Sequence, residues 1–135
     1  MTENDGFGGR RVLVVEDDVL IVAELVDRFY AMGADVVGPI TSVEKAFDRL
    51  EKLPDIAGAV LDISVQGELI FPLAEELKAR GVPYVFSSGY DDSVVPTQYS
   101  DVIRFSKPAD ECEIASTLLE AIRRRTSQSE KPALD

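Results

Sequence analysis

At 135 residues, with 45% hydrophobic and 29% charged side chains, the chain has room for one domain with a proper core and not for a second catalytic or DNA-binding domain. A formal net charge of −11 opposes nonspecific attraction to nucleic acid or anionic membrane, so proteins and small ions are the expected partners. The single cysteine, Cys112, excludes an intrachain disulfide, and the absence of histidine removes the commonest general base and transition-metal ligand, which leaves carboxylate, hydroxyl and lysine chemistry.

Residues 1–10 are polar and glycine-rich and read as a loose tail. They hold no apolar run of signal-peptide type, so a cytoplasmic protein is expected. The first strand, 11–15, is uniformly apolar after Arg11 and runs straight into Glu16, Asp17 and Asp18. Three adjacent carboxylates repel one another unless a cation or solvent intervenes. Asp18 is placed to cap a helix over 18–32. Ile21, Leu25, Phe29 and Met32 form its core stripe, and Val19, Val22, Val26 and Tyr30 widen the apolar face to about half the circumference, more than a helix covering a sheet requires. The excess, Val19, Val26 and Tyr30, is either a protein-binding flank or a surface covered by the last helix.

A strand at 35–38 and a helix at 42–52 precede a strand at 58–61 that delivers Asp62. Pro72 opens a helix over 72–80, and a strand at 83–87 delivers Ser87, Ser88 and Gly89. The stretch 91–96 is at most a short helix, stopped by Pro96. A fifth strand, 102–105, delivers Ser106, Lys107 and Pro108. The last helix, 110–125, turns Ile114, Ala115, Leu118 and Ile122 inward, and Arg123, Arg124 and Arg125 at its end oppose the helix dipole. Cys112 reads as a minor packing residue, and 126–135 as a second loose tail, so the ordered domain is 11–125.

Strands alternating with helices indicate an α/β fold with a parallel sheet covered on both faces, and in such sheets ligands sit beyond the carboxyl ends of the strands. Taken singly, each polar strand end has an ordinary reading as a turn, cap or surface corner. Taken together they compose a site. Carboxylates from two strand ends suit Mg²⁺, a hard cation that binds oxygen. Beside it, Asp62 is placed as a nucleophile, with the Ser88 hydroxyl and the Lys107 ammonium as donors to a phosphoryl group.

With VLVVEDD, the Asp62 of AVLDIS, SSGY after the fourth strand and FSKP after the fifth, the chain resembles a two-component response-regulator receiver domain over residues 11–125. The resemblance implies a doubly wound, five-stranded flavodoxin-like sheet in the order 2-1-3-4-5. It places the acidic pair on Glu16 and Asp17, the phosphoacceptor on Asp62, the mobile hydroxyl on Ser88 and the phosphate-binding lysine on Lys107. Mg²⁺ is the implied cofactor, held by Glu16, Asp17, Asp62 and the backbone carbonyl of Ser64, and a cis peptide is implied between Lys107 and Pro108. The stretch 62–90 is similar to the FAT GUY group of single-domain receivers, with Phe86-Ser87-Ser88-Gly89-Tyr90 in place of the eponymous letters. That group implies bacterial stress or phosphorelay signalling.

Two departures stand out. Receivers commonly carry proline four and glycine eight residues after the phosphoacceptor, whereas here Gly67 comes five residues on and Pro72 later. Arg104 occupies the position where many receivers carry a switching Tyr or Phe. It is either a partner for acids such as Asp91 and Asp92 or a solvated edge residue.

The expected function is therefore a phosphoacceptor signalling protein rather than a turnover enzyme. A sensor histidine kinase or phosphotransfer protein would be its partner, through Val19, Val26, Tyr30, Tyr90, Arg104 and Pro108. Neither nucleic acid nor membrane is expected to bind, and the protein is expected as a monomer or weak dimer. The alternatives are a phosphorylation-independent adaptor with the same fold, and a Mg²⁺-dependent phosphohydrolase, which Ser64 disfavours because such enzymes commonly carry an acid two residues after the nucleophile.

Overall fold

The computed structural model describes the backbone of residues 6–89 and 95–130, and side chains as far as Arg125. The central sheet contains β1 (Arg11–Val15), β2 (Asp35–Ile40), β3 (Ile56–Asp62), β6 (Tyr84–Ser88) and β7 (Arg104–Ser106). They are all parallel, in the order β2-β1-β3-β6-β7. Counted along the sheet alone this is the expected 2-1-3-4-5 order. The numbering jumps because β4 (Ser64–Val65) and β5 (Glu68–Leu69) form a separate antiparallel hairpin after β3. Helices α1 (Val19–Ala31), α2 (Val43–Lys52), α3 (Phe71–Ala79) and α4 (Glu111–Glu130) connect the strands, with one 3₁₀ turn at Thr97–Tyr99.

The central strands read as continuous apolar runs because both sheet faces are covered. Alternate residues serve opposite cores. Leu13, Val15, Leu61 and Phe86 pack with Leu50 of α2, Leu73 and Leu77 of α3, and Tyr99. Val12, Val14, Val60 and Val85 pack with Leu25 and Phe29 of α1 and with Ile114, Leu118 and Ile122 of α4. Helices α1 and α2 start at side-chain caps, whereas α3 opens without one, with Pro72 in its first turn. The Asp18 carboxylate accepts from the N–H groups of Leu20 (3.1 Å) and Ile21 (3.3 Å), and the Ser42 hydroxyl from that of Lys45 (3.1 Å). Gly38, with φ +127°, lies where the β1–β2 register shifts; a side chain there would put its Cβ 2.6 Å from the Val14 carbonyl oxygen.

Several expectations need correction. The N-terminal segment is not loose throughout: Phe7 is fully buried against Phe29 with ring centroids 5.4 Å apart. The N–H groups of Phe7 and Gly9 bond the carbonyls of Met32 (2.9 Å) and Gly33 (2.7 Å). Helix α4 continues to Glu130, because no glycine or proline interrupts the chain before Pro132. The three arginines therefore sit within the helix and not in its last turn. On α1 the buried stripe is Val22, Leu25 and Phe29, with Ile21 only half-buried, a rotation that brings α1 against β2 and α4 together. Cys112 is exposed, on the solvent side of α4. Among the described residues no helix is long and apolar enough to cross a membrane.

Candidate functional site

The carboxyl ends of β1, β3, β6 and β7 converge, and the strand ends that the sequence singled out meet there. Glu16 leaves β1 with its N–H on the Ile40 carbonyl (2.9 Å), which prolongs the β1–β2 ladder by one residue and drives its side chain inward. Its carboxylate is buried, accepting from Lys107 Nζ at Oε1 (2.8 Å) and from the Asp18 N–H at Oε2 (3.0 Å). Asp62 ends β3 in register with Ser87 of β6 and is equally buried. Its Oδ2 accepts from Lys107 Nζ (3.1 Å) and its Oδ1 from the Ser64 N–H at the long distance of 3.4 Å. One ammonium thus bridges two buried carboxylates. Lys107 is aimed by its own backbone, whose N–H donates to the Ser88 carbonyl (2.9 Å), and the peptide that follows it, to Pro108, is cis as the resemblance implied.

Burial pushes the Asp62 carboxyl up to about 7, with the neighbouring Glu16 adding to the rise and Lys107 opposing it. Burial by itself would lower the Lys107 ammonium. The bonds and charges of Glu16 and Asp62 outweigh that and hold its pKa above the ordinary lysine value. Two buried acids share one base, so once Asp62 ionises a single ammonium cannot balance both.

Asp17 is exposed at the rim, and one oxygen each from Glu16, Asp17 and Asp62 lie within 4.8 Å of one another. An octahedral shell with ligands at about 2.1 Å places its oxygens roughly 3 to 4 Å apart, so this hard-oxygen donor set fits Mg²⁺ with water completing the shell. Ser64 is half-buried at the start of the hairpin, and Ser88 is buried at the end of β6. Among the described residues no buried side-chain nitrogen or oxygen lacks a hydrogen-bond partner.

Gln66 was not anticipated at the site. Its backbone N–H donates to Asp17 Oδ2 (2.9 Å) from the tip of the β4–β5 hairpin, where Gln66 (φ 51°) and Gly67 (φ 81°) form a type I′ turn. The signal was present in the chain: a two-residue connection ending in glycine, between Val65 and Glu68, is hairpin chemistry.

The proposed partner face is dispersed. Val19 (68% exposed) and Tyr30 (55%) stand open, whereas Val26 is half-buried against the α1–α4 core. The last helix therefore covers the middle of the flank and not its ends. Leu20, 82% exposed, is an apolar surface residue the sequence reading passed over. Arg104 is half-buried on the edge strand β7, Pro108 is exposed, and Tyr90, Asp91 and Asp92 lie outside the described residues.

A doubly wound parallel sheet in this order, with its polar residues gathered beyond the strand ends, defines a flavodoxin-like α/β domain. No protein-family model matches the chain, nor does any curated protein sequence. Solved structures do. SdrG from Sphingomonas melonis Fr1 is 32% identical, with a TM-score of 0.73 over 85% of this chain and 97% of that one. The BeF3-activated conformation of SdrG from Pseudomonas melonis Fr1 is likewise 32% identical, with a TM-score of 0.67 over 83% and 94%. The signal receiver domain of a modulated diguanylate cyclase from Desulfovibrio desulfuricans G20 gives a TM-score of 0.77 at 24% identity, over 89% and 98%, and supports the fold. The chain belongs to the response-regulator receiver domains.

Proposed function

We propose that this protein is a single-domain response regulator in which Asp62 accepts a phosphoryl group from the phosphohistidine of a sensor kinase or phosphotransfer protein. The observation that carries the proposal is the Lys107 ammonium, bridging Glu16 and Asp62 at 2.8 and 3.1 Å where one Asp17 oxygen comes within 4.8 Å. In transfer, an Asp62 oxygen bonds phosphorus as the P–N bond breaks, and the electron pair of that bond returns to the imidazole. Lys107 and the Ser88 hydroxyl then serve as donors to the phosphoryl oxygens. Glu16, Asp17, Asp62 and the Ser64 carbonyl would hold Mg²⁺, which when bound supplies neutralising charge to those oxygens.

Two further observations support this reading. The Asp62 pKa rises to about 7 through burial first and the neighbouring Glu16 second, and a divalent cation would offset both. A relative, SdrG, is known in a BeF3-activated conformation, and trifluoroberyllate is a tetrahedral phosphoryl analogue. Output would be altered protein binding through the segment 88–110, in a cytoplasmic stress or phosphorelay circuit of the FAT GUY type. Phosphorylation adds more than one unit of negative charge beside that segment, enough to reorganise a loop.

The test is intact-protein mass after incubation with a small phosphodonor, with and without Mg²⁺, and then with phosphorylated kinases. A single Mg²⁺-dependent phosphoryl adduct that is absent in Asp62→Asn is expected. Failure with every donor would leave the phosphorylation-independent adaptor as the reading.

A further inference from the structure

Asp17 poses a problem of order. Its side chain is exposed on the short connection between β1 and α1, where an unrestrained carboxylate samples several rotamers and a cation would have to select one of them. Its Oδ2 is instead held at 2.9 Å by the Gln66 N–H, which reaches it from the far side of the site. The direction of that donor is set by the turn, with φ 51° at Gln66 and 81° at Gly67. The turn is anchored in its own right: Val65 and Ile70 on either side of the hairpin are fully buried, and the Ile70 N–H closes its base on the Ile63 carbonyl at 2.9 Å. A carboxylate with one oxygen fixed by an N–H and the other left for a cation is how outer-shell partners orient a metal ligand.

We propose that the β4–β5 turn is a positioning element for the cation site, its Gln66 N–H fixing Asp17 so that the second carboxylate oxygen is presented with Glu16 and Asp62. The inference rests on the Mg²⁺ reading above. By linkage, the cation tightens the hairpin by the same factor as the hairpin tightens the cation. In the opposite arrangement cation and N–H would compete for one oxygen, and Mg²⁺ would release the turn.

Gly67 separates these outcomes, because a Cβ built there meets nothing within 4 Å and a substitution acts only through the positive φ. Valine is excluded from that conformation, whereas asparagine tolerates it. The experiment titrates Mg²⁺ into the full chain, followed by amide resonances, for wild type, Gly67→Val, Gly67→Asn and Asp17→Asn. We expect Gly67→Val to weaken binding about tenfold, the lower end of outer-shell losses, and Gly67→Asn to stay within about twofold.

A wild type whose resonances ignore Mg²⁺, or an Asp17→Asn that binds as well as wild type, would overturn the cation reading itself. Tight wild-type binding with Gly67→Val unchanged or tighter would overturn only the positioning role. Hydrogen exchange at the Gln66 amide of the unmutated chain guards against a variant that misfolds: saturating Mg²⁺ should slow it about tenfold, and unchanged or faster exchange rejects the proposal.

Discussion

Asp62 lies at the end of the most buried strand of the sheet, and its carboxyl titrates from a raised value because burial disfavours the charge more than Lys107 restores it. The folded protein holds a proton on Asp62 that the unfolded chain releases near 3.8, so the stability present below that pH is lost as the pH rises through about 7. Asp62→Asn removes this loss. In metal-free buffer at pH 8 the variant should melt higher than wild type by on the order of 4 °C, and the gap should narrow toward pH 5. Saturating Mg²⁺ should raise the wild-type melting temperature at pH 8 and leave the variant nearly unchanged. A gap that widens toward acid pH in thermal melts would contradict this assignment of the burial cost. At the residue scale the converging side chains were legible in the sequence, because an apolar strand that ends abruptly in carboxylate, hydroxyl or lysine announces its own exit from the core. Gln66 was legible only as part of a turn, because Gln66-Gly67 marks a hairpin while no side-chain chemistry tells where its backbone N–H points.

The elements were legible where an apolar pattern fixed them, a helical period in α1 and α2 and a short apolar run in the sheet strands. They were missed where tertiary contact decided. The hairpin strands β4 and β5 have two residues each, too short for any alternation to register. The N-terminal segment looked like a tail because a lone phenylalanine among glycines and polar residues has no period. Phe7 nevertheless occupies the core beside Phe29, edge to face, and two backbone bonds tie its segment to the end of α1. Phe7→Ala should destabilise the fold by about 3 kcal/mol in urea unfolding, the cost of emptying a phenylalanine site. A loss under about 0.5 kcal/mol, typical of surface substitutions, would mean that the segment is a tail after all. Because Phe7 packs on the flank of the sheet opposite α2 and α3, Mg²⁺ affinity should stay as in wild type.

Across the whole molecule, one end of the sheet carries both the acidic site and the start of α1, where Val19 and Leu20 are exposed, so a macromolecular donor of the proposed kind would meet them near Asp62. The net charge of −11 gives no general attraction for other acidic proteins, so under the proposed function local apolar contact on α1 would supply selectivity. Tyr30 tests this cleanly. It lies eleven residues after Val19, about 16 Å along the helix and nearly on the same line of its surface, far from the carboxylates. Being 55% exposed, it can be truncated without opening a core cavity. If α1 is the docking flank, Tyr30→Ala should slow phosphoryl transfer from a phosphorylated kinase or phosphotransfer protein about tenfold, a hot-spot loss of ~1.4 kcal/mol, while labelling by a small phosphodonor proceeds at the wild-type rate. Equal rates from the protein donor would remove the Tyr30 end of α1 from the interface and shift the search to the exposed Pro108 and the edge strand β7. Slowing of both reactions would show that Tyr30 acts on the site itself, which the distance along α1 argues against.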